Sequence, residues 1–357
     1  MYYYLRRILP FVVLLICVSA LRAQQDPMFT KYMFNSLVFN PAYAGSKEYL
    51  TINALHRSQW LDWNTAGNSL QDGASGGAPT TQTFTIHGPA NKRVGLGLNL
   101  INDEIGVSQS TSINMAYAYR IDFGTGTLSL GLQGGIRYWR ADWDRLTYRD
   151  PRATDRVFSR PNPQLWMPNF GGGFYYYSEK FYFGGSVPSL VQFDLRDEIA
   201  DSEFRDIARL YRHYYFTVGG AIPLDGLGNF VLKPSLLVKS VGLFEDFAND
   251  DPGRQRIGAP NAFDIDVSML FYETVWLGLS YRSAFEAFAV NERDVFRSSH
   301  DSADFWLSLQ LPKGIRIGAA YDFPLSALRE YTVGSVELMV GYDFNYELRK
   351  IQTPRYF

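Results

Sequence analysis

The chain has 357 residues, 36 acidic against 34 basic, for a formal net charge of −2; that balance leaves no concentrated basic face for a nucleic-acid backbone. Aromatic residues reach 16% while charged residues stop at 20%, a combination that suits β-structure and membrane-interface belts. The one cysteine, Cys17, falls inside an N-terminal leader, so disulfide, zinc-thiolate and cysteine-nucleophile readings of the mature chain fall together.

That leader reads Met1-Tyr-Tyr-Tyr-Leu-Arg6-Arg7, then a short apolar run over 8–20, then Leu21-Arg22-Ala23. A basic start, an apolar core and a small residue before a polar stretch describe a signal peptide over 1–23. Cys17 is a poor lipoprotein acceptor, because bulky Ile16 precedes it. The run is too short to cross a bilayer as a helix, and no later stretch is long and apolar enough. A membrane role therefore rests on a barrel.

Residues 24–46 follow as a separate N-terminal segment. Phe29, Tyr32, Phe34, Leu37, Phe39 and Tyr43 make it apolar, while Asn35, Asn40-Pro41 and Gly45 punctuate it with turn chemistry. A soluble tail does not carry such residues exposed. The segment is expected in a barrel lumen or across its periplasmic mouth; the sharper alternative is a docking strip for a partner.

From Tyr49 onward the pattern has period two. Thr111, Ile113, Met115, Tyr117 and Tyr119 alternate with Ser112, Asn114, Ala116, Ala118 and Arg120. Ile315, Ile317, Ala319, Tyr321 and Phe323 alternate with Arg316, Gly318, Ala320 and Asp322; Leu338, Val340, Tyr342 and Phe344 alternate with Glu337, Met339, Gly341 and Asp343. Strands are predicted over 47–58, 80–88, 93–102, 109–121, 127–140, 168–178 and 181–190. The series continues over 211–222, 229–241, 261–272, 275–283, 302–311, 314–323 and 335–344. Links after even strands are tight: 89–92, 122–126, 179–180, 223–228, 273–274 and 312–313. Links after odd strands are mostly long and polar: 59–80, 141–167, 191–210, 242–260 and 284–301, with 103–108 and 324–334 as shorter members. Tight turns at one end and long loops at the other are the layout of a transmembrane barrel, whereas a Greek-key sandwich has no reason to sort its loops. The expected architecture is all-β: a 14-stranded antiparallel outer-membrane β-barrel over 47–344, with short periplasmic turns and long extracellular loops. An even strand count puts both termini, including a tail over 345–357, on the periplasmic side.

Chemistry finds little foothold. The four histidines, His56, His87, His213 and His300, show no metal-ligand spacing, and no HExxH or Walker-type loop is present. His213 alternates with Tyr215, Thr217 and Gly219, which reads as a polar lumen position in preference to a catalytic one. Asp246, Asp250 and Asp251 with Asn249, and Asp142 with Asp144, lack the repeating spacing of a calcium loop. Trp60, Trp63, Trp139, Trp143, Trp166, Trp276 and Trp306 lie mostly near strand ends, as an aromatic girdle would place them; sugar stacking is the lesser reading for Trp63 or Trp166. Arg57, Arg120, Arg137, Arg282 and Arg316 share the lumen parity with Asp264, Asp266, Glu337 and Asp343. Mixed signs predict a filled polar interior over an open ion pore. No enzyme, metal or cofactor is expected. A transport barrel for a small hydrophobic or sugar substrate remains the alternative function, with a membrane hydrolase a distant third.

The stretch 25–46, with its QDPxF start, its Tyr-Met-Phe-Asn run and its closing Asn-Pro-Ala-Tyr-Ala-Gly-Ser, closely resembles the opening of the PorP/SprF family of type IX secretion proteins of Bacteroidetes. Arg57-Ser-Gln59-Trp60, Gly77-Ala-Pro-Thr80, Thr85-Ile-His87-Gly-Pro89, Gly95-Leu-Gly97 and Asn102-Asp-Glu-Ile-Gly106 are similar to family motifs as well. So are Tyr321-Asp322 with Leu325-Ser326, Gly334-Ser335-Val-Glu337-Leu, Tyr342-Asp-Phe344 and the closing Pro354-Arg355-Tyr356-Phe357. Two departures stand out: 61–76 is inserted after the Gln-Trp step, and Val336 precedes Glu337 where relatives often carry a His-Glu pair. The resemblance implies an outer-membrane accessory of type IX secretion that binds and helps export or retain a large secreted adhesin, in gliding or adhesion. Its implied partners are outer-membrane lipid, the adhesin or its C-terminal domain, and a periplasmic secretion ring or peptidoglycan-binding lipoprotein. The family motif implies partner docking through Asp26, Pro27, Phe29, Tyr32, Asn35, Asn40, Pro41, Tyr43 and Gly45, with Arg355, Tyr356 and Phe357 at the other end.

Overall fold

A computed structural model describes residue 29 and residues 31–62, 77–146, 161–194, 209–210, 212–241, 243, 261–285 and 300–344. Fourteen strands form the wall. They are β1 (Thr51–Leu61), β2 (Thr80–Pro89), β3 (Val94–Ile105), β4 (Ser108–Phe123), β5 (Gly126–Ala141), β6 (Gln164–Tyr177) and β7 (Phe181–Val187). Then follow β8 (His213–Gly220), β9 (Phe230–Val241), β10 (Ala262–Phe271), β11 (Val275–Ala284), β12 (His300–Gln310), β13 (Ile315–Pro324) and β14 (Gly334–Asp343). Each pairs antiparallel with its neighbours in sequence, and β1 pairs with β14 from Thr51↔Asp343 to Leu61↔Gly334, closing the ring. Closure matters because a bilayer offers no water to an unpaired N–H or C=O. No helix of the described residues is long and apolar enough to cross a membrane.

Parity sorts the side chains. In β4 the outward row Ile113, Met115, Tyr117, Tyr119, Ile121 and Phe123 is exposed, while Ser112, Asn114, Ala116, Ala118 and Arg120 are buried on the lumen side. The apolar row continues around the outside through Leu132, Val267, Leu279, Ile317 and Val340. A face of this composition is stable only against hydrocarbon.

Tight turns cluster at one end, which we call the short-turn end. Gly124 there has φ 63°, and Tyr272 and Glu273 have φ 49° and 53°, the positive values a two-residue hairpin turn requires. The opposite, long-loop end carries the links 62–79, 142–163, 188–212, 242–261 and 285–299.

The boundaries differ from expectation most plainly in four places. The 103–108 link closes as a two-residue turn, because Ile105 pairs with Ser108 and Gly106 takes φ 61°. Strand β6 starts at Gln164 instead of 168, because the long β5 offers it partners out to Arg140↔Gln164. Strand β1 starts at Thr51 instead of 47. Within the expected loop 191–210, Phe193–Asp194 pairs with Arg209–Leu210 as a small separate ribbon.

Candidate functional site: a plugged lumen

The lumen is filled by the chain's own N-terminal segment, described at Phe29 and from Lys31 to Ser46. Its local structure follows from its punctuation. Tyr32–Phe34 forms a 3-10 turn, Ser36–Phe39 one α-helical turn (α1), and Pro41–Tyr43 a second 3-10 turn. Asn40 caps the last of these by accepting the Ala42 N–H at 3.0 Å, with Pro41 at the first helical position, where its missing N–H costs nothing. Three short turns in succession give a compact knot whose large side chains point outward in every direction.

Each face of the knot meets a matching part of the wall. Leu37, Ala42, Tyr43 and Ala44 pack with Ala116, Ala118, Tyr175, Tyr177 and Tyr182. Phe29, Tyr32, Val38 and Phe39 pack with Leu55, Tyr215 and Leu237. Phe34 meets Trp276 and Trp306 edge-on, with centroids at 5.5 and 5.3 Å. Glycines in the wall make the approach possible: a Cβ at Gly95 would overlap the Ala44 carbonyl, and one at Gly131 would overlap the Ala42 backbone. The segment runs from Gly45, against Gly88 and Gly95 near the short-turn end, to Phe29, whose carbonyl is held by Arg282 near the long-loop end of β11.

The segment's backbone groups are satisfied by side chains of the wall, as buried polar groups must be. Ser186 donates to the Phe39 carbonyl and Ser129 to that of Ala42, both at 2.7 Å. Arg120 donates to the Gly45 carbonyl at 2.7 Å, and the Lys31 N–H donates to Glu337 Oε1 at 3.0 Å. Side chains add Asn35 to Thr83 Oγ1 (2.8 Å), Asn40 to the Phe174 carbonyl (2.9 Å) and Tyr32 to Ser235 Oγ (2.7 Å).

Charges are arranged around this knot as buried pairs. Arg57 bonds Asp322 at 2.6 Å and Glu337 at 3.3 Å; Arg282 bonds Asp264 at 2.6 Å; Arg316 bonds Asp343 at 3.3 Å and the Asn53 side-chain Oδ1 at 2.7 Å. Lys31 Nζ donates to Ser280 Oγ at 2.8 Å, lies 3.7 Å from Asp266 and sits 4.8 Å from the Trp306 ring centre. Burial pushes the Lys31 ammonium below its ordinary pKa, against the opposing pull of Asp266, Asp304, Glu337 and Asp322. At the short-turn mouth burial, helped by Arg316, lowers Lys47 to about 8 against Asp343, and burial raises Tyr43 to about 12. Removing one member of such a pair leaves an uncompensated charge, so the network holds the knot in one arrangement.

Of the residues singled out for docking, Phe29, Tyr32, Asn35, Asn40, Pro41, Tyr43 and Gly45 all lie in this lumen, against the wall. A partner reaches them only once the segment leaves. Asp26, Pro27, Arg355, Tyr356 and Phe357 lie outside the described residues, as do the signal peptide, Trp63 and the Asp246–Asp251 group. Asp142 and Asp144 are held together by the Asn162 amide, at 3.2 and 2.9 Å. His213 is buried, with its ring stacked 6.3 Å from that of Tyr215.

The girdle reading of the tryptophans needs correction. Trp166 stands exposed outside, but Trp306 is buried in the lumen, where its Nε1–H donates to Asp266 at 2.8 Å, and Trp276 faces inward beside it. Gly278 makes room for the Trp306 ring. Lys31, Ser129 and Ser186 escaped the sequence reading; the two serines do carry lumen parity, but nothing marks them among other small polar residues.

A closed strand ring with an apolar outer belt and a lumen packed by its own N-terminal segment defines a plugged outer-membrane β-barrel. The family model for type IX secretion system membrane protein PorP/SprF matches residues 21–342, and the chain belongs to that family. No curated protein matches it. Among solved structures it is similar to the monoaromatic hydrocarbon channel CymD, at 10% identity over 90% of this chain and 94% of that one, TM-score 0.46. A Pseudomonas aeruginosa FadL homologue shares 12% identity over 87% and 94%, TM-score 0.45. The Acinetobacter baumannii protein Omp33 shares 8% over 83% and 99%, TM-score 0.38.

Proposed function

We propose that this barrel is an accessory of type IX secretion that binds a large secreted adhesin and helps its export or its retention at the cell surface. Family membership supports the secretion role. The observation that carries a binding role over a pore is the filled lumen: buried ion pairs and a packed aromatic knot occupy the space a diffusion channel needs open. In this reading the long-loop end faces outward and meets the cargo, including its C-terminal domain. The short-turn end faces the periplasm, holds the start of β1 and the end of β14, and meets the secretion ring or a peptidoglycan-binding lipoprotein. The barrel performs no covalent chemistry and requires no cofactor; it works by binding.

The test is affinity purification of the tagged barrel from cells, with identification of the proteins that come with it. A large adhesin and ring components are the expected companions. Shortening the links 62–79 and 242–261 is expected to release the adhesin from cells while the barrel stays folded; undisturbed retention in every shortened variant sinks the cargo role.

A further inference from the structure

A cavity of about 210 Å³ lies at the long-loop mouth, above the plug, between β1 and the β10–β14 side of the wall. Arg57, Gln59, Trp60, Arg282, Ser302 and Asp322 are among its lining residues. Its floor is closed. Arg282 holds the Phe29 carbonyl at 2.8 Å, and Glu337, the partner of Arg57, holds the Lys31 N–H. A ligand therefore enters by one end and does not pass through.

The wall is irregular at this place. Among the described strand pairings two carry register shifts, one between Ser58 and Leu61 in β1–β14 and one between Arg282 and Ser283 in β11–β12. Both border the cavity. In the first of them Trp60 takes φ 53°, a left-handed conformation that a bulky side chain adopts only when its surroundings impose it. Bulges re-aim side chains at barrel rims and next to binding sites, and strained backbone collects at ligand clamps.

The chemistry of the lining narrows the ligand. Both guanidiniums are already matched, Arg57 by Asp322 and Glu337 and Arg282 by Asp264, and Asp301 adds another carboxylate to the lining, so an anion gains no net attraction. What the cavity offers is a mixture of fixed donors and acceptors beside an indole. The hydroxyl of Ser326, a lining residue, has no hydrogen-bond partner among the described residues. At about 30 Å³ per liquid water the space holds about seven waters, or one pyranose ring. A sugar presents hydroxyls that donate and accept along its edge and an apolar C–H face for an aromatic ring.

We propose that this blind cavity binds one neutral sugar residue, the end unit of a saccharide chain. This site is independent of the secretion role and stands or falls without it.

The experiment uses the full barrel in lipid nanodiscs, probed by saturation-transfer NMR and titration with methyl glycosides of glucose, galactose, mannose and N-acetylglucosamine and their disaccharides. At least one is expected to bind. Trp60→Ala is expected to weaken it about tenfold or more, and Trp60→Phe to retain most of the affinity. Heat-dependent gel mobility reports that each variant is folded; should W60A fail to fold, Gln59→Ala carries the same expectation. A second arm offers polysaccharide from the outer leaflet against soluble external glycans, and binding in either arm supports the site and names the source. The proposal is overturned if no saccharide binds, if W60A and Q59A bind as the parent does, or if only a peptide from the secreted cargo fills the cavity.

Discussion

Glu337 joins the plug to the wall through Lys31. One carboxylate oxygen accepts the Lys31 N–H at 3.0 Å, and the other accepts from Arg57 at 3.3 Å. All three residues are buried. Glu337→Ala deletes both bonds and takes one of its carboxylate partners from Arg57, a change that costs about 3–5 kcal/mol when a buried pair is broken. The expected outcome is a loosened segment, read as trypsin cleavage after Lys31 in the folded variant while the parent resists. Equal resistance in parent and variant refutes the anchoring role.

The wall glycines give a steric test of the same docking. Gly131→Ala and Gly95→Ala place a methyl where the Ala42 backbone and Ala44 carbonyl already sit, so the segment is expected to leave its seat. In planar bilayers these variants should conduct while the parent stays largely closed. Gly172→Ala is the control, because its Cβ finds nothing closer than 3.5 Å. Conductance that is the same in all four proteins contradicts a plug held by close approach.

On the outside, Leu132 is 67% exposed, among the barest of the apolar row. Leu132→Lys is expected to destabilise the folded barrel by about 2–4 kcal/mol if this position lies near the bilayer midplane. Urea titration of refolding into vesicles measures it. A cost near zero would place Leu132 in the headgroup region instead.

Lys47 predicts a pH dependence. Its folded pKa, about 8, lies below that of an unfolded lysine, so between about pH 8 and 10.5 the unfolded state binds more protons. Its contribution to stability therefore rises with pH across that window, and its penalty is complete below it. Relative to Lys47→Gln, the parent is expected to gain stability in urea titrations from pH 8 to 10. A constant difference between the two across that range removes the effect.

Much of this is legible in the sequence. Thr111 to Arg120 alternate apolar and polar, and the two rows lie outside and inside the barrel. The lumen parity of Arg57, Arg282, Arg316 and Glu337 was equally plain. Trp306 was legible too: it alternates with Asp304 and Ser308, both buried on the lumen side, so its parity contradicts the girdle that its position near a strand end suggests. The segment around Asn35 and Asn40 is different. Its turns were visible, but nothing in 24–46 says which wall it meets.

The sequence by itself determined the strand rows, the sorting of turns and loops and the family, because each of these is written in neighbours a few residues apart. The tertiary structure alone decided that the N-terminal segment is the plug and that Glu337 is its anchor. Lys31 and Glu337 are 306 positions apart, and only closure of β1 onto β14 brings the end of the wall back to the segment that precedes its beginning. The physical reason is the bilayer: it forces the ring to close, and a closed ring of this size leaves an interior that its own side chains must fill.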